Sequence, residues 1–248
     1  MIPVKLNSSI AERMINDEVL KYQKILEQKK ASIAFKRAFD ITVSAIMLAI
    51  LIPLYLLIAA VIKLDSKGRV IYKQERITKY GRRFYIYKFR TMVENADKSG
   101  SLVTVDNDRR ITRVGRILRK LRLDETLQLI NIIKGDMSFV GTRPEVLKYA
   151  EHYTDEMLAT LLLPAGVTSP ASIFYKDEDT LLAQTSDADD TYVNEILPQK
   201  MKYNLEYLRK FSLWYDVRIM FMTVFAVLKK ENIKKLNLSE KDLRRVNQ

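Results

Sequence analysis

The sequence predicts a mostly helical α+β chain, made of a re-entrant membrane helix-hairpin and one compact domain that carries a small β-hairpin. Three observations predict it. Ile41 to Ile62 form 22 consecutive positions without a charged side chain, beyond the roughly 18 apolar residues that mark a membrane segment. Two β-rich runs, Val70 to Gln74 and Phe84 to Phe89, flank turn residues Lys79, Tyr80 and Gly81, the pattern of a hairpin. Most of the remaining apolar positions recur at helical spacing.

In chain order, Ser9 with Glu12 forms a capping box, and Ile10, Met14, Leu20 and Ile25 trace a helical stripe through Gln28. Residues 1–35 are therefore an N-terminal amphipathic helix. Its roles are lying on the membrane surface, pairing with a second copy as a homodimer, or plain packing. Residues 36–69 hold the membrane segment and its flanks. Lys36 and Arg37 precede the run, and Lys63, Lys67 and Arg69 follow it, so the positive-inside rule assigns no direction of crossing. That symmetry suits two ends facing one leaflet. Pro53 lacks an N–H and clashes with the carbonyl of Ala49, so a kink or break is expected there.

Residues 70–229 form the main domain. After the hairpin, Ile111 to Leu123 reads as a helix with Val114, Ile117, Leu118 and Leu121 apolar and Arg113, Arg116, Arg119 and Lys120 on another face. Leu127 to Ile133 is a short apolar helix, and Gly135, Gly141 and Pro144 mark a loop. Asp177 to Asp179 and Asp187 to Asp190 read as a solvated linker. Helices follow at about Asn194 to Lys210 and Leu213 to Lys229, the second apolar enough to lie against bilayer or core. Residues 230–248 form a basic C-terminal tail.

Composition narrows the chemistry. Without cysteine, and with one histidine, His152, the chain has no thiolate nucleophile, disulfide or multi-His metal site. Acid–base work falls to carboxylates, Tyr or Lys. A net charge of +12 implies an anionic partner: nucleic acid, anionic membrane lipid or a phosphorylated substrate. No basic array interleaved with aromatics marks a nucleic-acid module.

Asp124 and Glu125 open an apolar helix, placing Asp124 at or near an N-cap, where unpaired N–H groups and the helix dipole lower a carboxylate pKa. Simple capping explains the pair locally; a nucleophile or metal ligand is the alternative. Lys88, Arg90, Arg119, Arg122 and Arg143 supply cations in the surrounding sequence, the donor set for a diphosphate completed by Mg²⁺.

Five blocks occur in order: Gln74-Glu75-Arg76; Lys88-Phe89-Arg90-Thr91-Met92; Asp108 through Gly115; Leu123-Asp124-Glu125; and Gly135 through Pro144. Together they resemble the bacterial sugar transferases, the monotopic polyprenyl-phosphate phosphoglycosyl transferases. The resemblance extends from about Lys36 to Thr223, with Lys36-Arg37, Asp40, Ser212 and Asp216 also matching. It implies a bacterial inner-membrane protein with a cytoplasmic catalytic domain, a re-entrant helix broken near Pro53, and a Mg²⁺-dependent reaction. Asp124 would attack a UDP-sugar, forming a phosphosugar–aspartyl intermediate and releasing UMP; polyprenyl phosphate would then take the sugar phosphate. Glu125 would serve as metal ligand or base beside Asp124, and Arg119 and Arg143 would hold phosphates. The chain departs from the family pattern at Leu127 and Thr142, where Pro is common, at Ile52-Pro53, where Ser-Pro is usual, and along Gly166 to Ser172, which bears on substrate choice. The competing expectation is a noncatalytic membrane-anchored assembly or regulatory protein.

Overall fold

A computed structural model describes residues 9–94, 96, 108–175, 178, 182, 185 and 187–228. The basic tail, Asp177 and Asp179 lie outside the described residues. The N-terminal segment forms two helices, α1 (Ser9–Arg13) and α2 (Asp17–Glu27). Asn16 interrupts them because its side chain accepts from the Val19 amide and starts a new helix. The restart rotates the buried face to Val19, Tyr22 and Leu26, leaving Leu20 of the expected stripe exposed. This face joins Ile10 and Met14 in the main hydrophobic core. Packing is thus the observed role of these helices.

The apolar segment is one helix, α3 (Lys30–Asp65), with Pro53 inside it. Of the kink or break expected at Pro53, the break does not occur: the helix runs through that residue. The physical reason is lateral support. One stripe of α3, advancing every three or four residues, contacts the domain from end to end. Arg37 donates to the Ile132 and Ile133 carbonyls at 2.6 and 2.9 Å. Lys36 pairs with Asp216 at 2.6 Å, and Asp40 accepts from the Phe139 amide at 3.4 Å. Leu48 and Leu51 join one core cluster; Leu54, Ile58 and Ile62 join another. Tyr55 donates to the Thr126 carbonyl at 3.0 Å, and Asp65 accepts from the Val114 amide at 3.1 Å. The opposite stripe, including Ile46, Ile50, Leu57 and Leu64, is exposed, as expected of a face meeting lipid rather than protein.

The hairpin is present: β1 (Ile71–Ile77) pairs antiparallel with β2 (Arg83–Phe89), Tyr72 opposite Lys88 and Arg76 opposite Phe84. Tyr80 and Gly81 adopt positive φ in the turn, a position where glycine carries no Cβ penalty. Next come α4 (Arg113–Lys120), capped by Thr112, a 3₁₀ turn Leu123–Leu127, and α5 (Gln128–Lys134). Gly135 to Val140, read from sequence as loop, contains β3 (Met137–Val140), which pairs in parallel with β4 (Ala165–Thr168). Four-residue strands without period-two polarity are buried on both faces and carry little pattern. Their backbones meet closely: a Cβ on Gly166 would lie 2.2 Å from the Gly141 nitrogen. Short helices α6 (Leu147–Ala150) and α7 (Pro170–Phe174) bracket β4. A π-helical turn Tyr192–Ile196 leads into α8 (Leu197–Lys210), and α9 (Leu213–Leu228) closes the described chain.

Between α3, α8 and α9 lies a buried charge cluster in which Asp216 takes Lys36 on one oxygen and Tyr207 Oη, at 2.7 Å, on the other. Removing one partner of a buried pair leaves an uncompensated charge and costs about 3–5 kcal/mol. Lys36→Met is therefore expected to lower unfolding stability by that order in denaturant titrations, and Lys36→Met/Asp216→Leu to recover most of the loss.

Candidate functional site

Strand alternation puts Phe84, Ile86, Lys88 and Arg90 on one face of β2 and its continuation. Phe84 and Ile86 bury into the core, so Lys88 and Arg90 are carried beyond it, into a cleft of about 1650 Å³. The cleft is also lined by Arg76, Arg119, Arg122, Asp124, Glu125 and Arg143. All seven charged positions expected from sequence, Arg122 included, therefore share one cleft. Pro53, the expected helix break, is not among its lining residues.

Glu125 lies at the centre of the arrangement. Its Oε1 accepts from Lys88 Nζ at 2.8 Å and from Arg143 Nη2 at 2.6 Å, while Oε2 accepts from Arg143 Nη1 at 3.3 Å. Burial alone would raise the Glu125 pKa, yet Arg143 and Lys88 outweigh it and hold the carboxyl well below the usual range. Glu125 in turn raises Arg143, whereas burial lowers Lys88 despite the same carboxylate.

Asp124 is different. It is buried, its Oδ1 has no hydrogen-bond partner among the described residues, and it lies within the 3₁₀ turn rather than at a cap. Arg122 precedes that turn with φ 55°, and no side chain caps it. The lowered pKa expected of an N-cap gives way to a raised one, first from burial and second from the neighbouring Glu125 charge; Lys88, Arg119 and Arg122 oppose the rise. A left-handed Arg costs about 1–2 kcal/mol, so the surrounding structure must hold Arg122 in place beside the buried carboxylate.

Arg90 is buried with Nη2 on the Ser66 carbonyl and hydroxyl, at 2.7 and 2.9 Å, while Nε and Nη1 are unpartnered among the described residues. Gly68, at φ 117°, leaves the space for it: a Cβ there would lie 2.2 Å from Nη1. Arg143 owes its position to Gly141 and Gly166, whose close approach registers β3 against β4, and to Arg76, which donates to the Pro144 carbonyl at 3.3 Å.

Sequence reasoning assigned no role to Arg76, although it closes the first motif block. It also missed Glu145, Tyr192 and Lys200, which line the same cleft. Tyr192 Oη donates to Glu145 at 2.6 Å, and Lys200 donates to Tyr192 Oη at 3.0 Å and to Glu178 at 2.8 Å. Their separation along the chain leaves no local signal. The Asp187 carboxylate caps the following helical turn through the Asp189 and Asp190 amides, both at 3.0 Å.

Family comparison gives the same assignment as the motif order. The model of the family described as bacterial sugar transferase matches residues 31–230, and the chain belongs to that family. Among its relatives is a UDP-N-acetylgalactosamine-undecaprenyl-phosphate N-acetylgalactosaminephosphotransferase of Aeromonas hydrophila, 37% identical over 78% of this chain and 43% of its own length. A UDP-glucose:undecaprenyl-phosphate glucose-1-phosphate transferase of Escherichia coli (strain K12) is 36% identical over 77% of this chain and 39% of its own. One of the same description from Caulobacter vibrioides is 34% identical, over 79% and 71%. The chain thus spans less than half the length of the first two relatives.

With Arg143→Met only Lys88 is left to oppose the burial of Glu125, which moves the Glu125 pKa upward. A raised carboxyl pKa favours the folded state at low pH and withdraws that contribution as pH rises through it. The stability deficit of Arg143→Met, about 3 kcal/mol at neutral pH, is therefore expected to shrink between pH 7.5 and pH 5 in melting experiments.

Proposed function

We propose that this chain transfers a sugar 1-phosphate from a UDP-sugar to polyprenyl phosphate, the initiating step of a cell-surface glycan. The observation that carries the proposal is Asp124: a buried carboxylate with an unpartnered oxygen, set among cations in one cleft. The relatives' described use of undecaprenyl phosphate supports the acceptor class.

In the first half-reaction an Asp124 oxygen forms a bond to the sugar-bearing phosphorus, and the bond from that phosphorus to the bridging oxygen breaks. UMP leaves with that electron pair, and a phosphosugar–aspartyl mixed anhydride remains. Lys88, Arg90, Arg119 and Arg143 offset repulsion between carboxylate and diphosphate. In the second half-reaction a polyprenyl phosphate oxygen attacks the same phosphorus, freeing Asp124 and giving the polyprenyl diphosphate sugar. Splitting the transfer lets one set of cations serve both anionic substrates in turn.

Asp124 fits Mg²⁺ better than Glu125 does. Glu125 has its oxygens filled by Lys88 and Arg143, and no group of three acidic or His side chains converges among the described residues. Mg²⁺ is commonly held by one or two carboxylates together with substrate phosphates and water, a pattern Asp124 can supply. Bound there, the ion would neutralise charge on the diphosphate. Glu125 would act mainly by fixing Lys88 and Arg143.

The apolar lining of the cleft supports a lipid acceptor: Val43 and Met47 of α3 and Met220 and Val224 of α9 line it together with the cations. Both ends of α3 grip the same domain through Lys36, Arg37 and Asp65. That arrangement favours entry and exit on one membrane face, with the domain cytoplasmic.

Asp124→Asn should lower UMP release from UDP-sugars, measured with purified protein, polyprenyl phosphate and Mg²⁺, by about 10³-fold or more; wild-type turnover would exclude Asp124 as nucleophile. Because the native chain has no cysteine, Phe35→Cys and Lys67→Cys can be labelled singly in cells. Both should react only after the cytoplasmic side is made accessible, and labelling from opposite sides would establish a span.

A further inference from the structure

Gln128 is the first residue of α5, one helical turn beyond Asp124, and its side chain is only 1% exposed. It lines the same cleft, yet neither Oε1 nor Nε2 has a hydrogen-bond partner among the described residues. Asn131, on the same helix, behaves oppositely: its Oδ1 accepts from the Tyr87 amide at 3.0 Å and its Nδ2 donates to the Tyr85 carbonyl at 2.8 Å. Local packing therefore provides partners for one buried amide and leaves the other, on a residue that lines the cleft, without any among the described residues. A buried amide with both ends unmade is destabilising unless a ligand completes it.

The ligand's chemistry follows from what the amide offers. Phosphate oxygens accept hydrogen bonds, and the cleft's Lys and Arg side chains already donate in excess. Gln128 is neutral and presents a donor and an acceptor side by side, the complement of a hydroxyl, which does both. A phosphosugar attached to Asp124 would have its sugar next to the attacking carboxylate, in the cleft that Gln128 also lines.

We propose that Gln128 binds the transferred sugar of the donor through a hydroxyl group, and that it is a sugar-recognition residue distinct from the phosphate-binding cations. The inference rests on the transfer reaction proposed above. It places sugar reading on the same turn as the nucleophile, so that a correctly held sugar and an aligned phosphorus come together.

The test uses the full chain in detergent, comparing wild type with Gln128→Met, which keeps side-chain length and removes both polar ends, and Gln128→Asn, which keeps the amide and shortens its reach. For each, kcat/KM for UMP release from a panel of UDP-sugars, the inhibition constant of UDP and the ligand-free Tm are measured. Both variants should lose about 10- to 100-fold in kcat/KM, with UDP inhibition within about twofold of wild type. The Tm of Gln128→Met should be equal or higher, because an apolar side chain replaces an unsatisfied buried amide. A merely structural glutamine would instead lower Tm. Kinetics within about twofold of wild type for Gln128→Met, a parallel loss of UDP binding, or a lowered Tm would each overturn the assignment. Wild-type protein that releases no UMP from any UDP-sugar would refute the transfer reaction and this inference together, whereas an active wild type with an equally active Gln128→Met refutes the sugar contact alone.

Discussion

The site depends on one charge clamp. Glu125, buried in the 3₁₀ turn, is held between Lys88 of β2 and Arg143 of the loop after β3. These three segments come from separate parts of the chain, and a buried carboxylate is tolerable only when cations and hydrogen bonds compensate it. The clamp therefore fixes the relation of hairpin, turn and loop together. It also leaves the adjacent Asp124 as the carboxylate not consumed by pairing, with a raised pKa and a free oxygen. Two neighbouring acids thereby acquire opposite characters from their surroundings, one paired and held well below the usual carboxylate range, the other buried with its pKa raised.

Around this centre the chain divides its apolar surface between two solvents. The inward stripe of α3 completes two core clusters through Leu48, Leu51, Ile58 and Ile62, while its outward stripe is bare. Exposed apolar residues on α9, among them Trp214 at 79%, Phe221 and Phe225, add to this surface. The interior half is covered by protein and the exterior half is left apolar and exposed. A helix that serves both cannot be classed by hydropathy alone, because the same uncharged sequence meets the demands of core and bilayer.

Much of this was readable in the residues, for identifiable reasons. The hairpin carries a turn signal and the α3 run carries length without charge; both are local and strong. The family motifs named the cations that the fold gathers into one cleft. The parallel pairing of β3 and β4 was hidden because buried four-residue strands have no alternation, and the restart at Asn16 was hidden because one capping side chain shifts helical phase. The direction of the Asp124 pKa shift is not legible in the residues, because capping lowers a carboxyl pKa while burial, visible only in the fold, raises this one. Which of the two expected outcomes occurs at Pro53, a kink or a break, is not legible locally, because the contacts that support the helix come from distant residues: Tyr55 reaches Thr126, and Asp65 reaches Val114. Gln128 could not have been singled out, since an amide's lack of partners is visible only in three dimensions.

The double duty of α3 also bears on attempts to make a soluble form of this protein. Cutting the chain after the apolar run, or replacing that run with a polar helix, would remove more than an anchor. It would take away Ile58 and Ile62, which pack against Phe89 and Leu127, and with them the floor beneath the strand bearing Lys88 and the turn bearing Asp124. Solubility and catalytic architecture are coupled through the same helix, so the outward stripe, including Ile50, Leu57 and Leu64, is the part of it open to redesign.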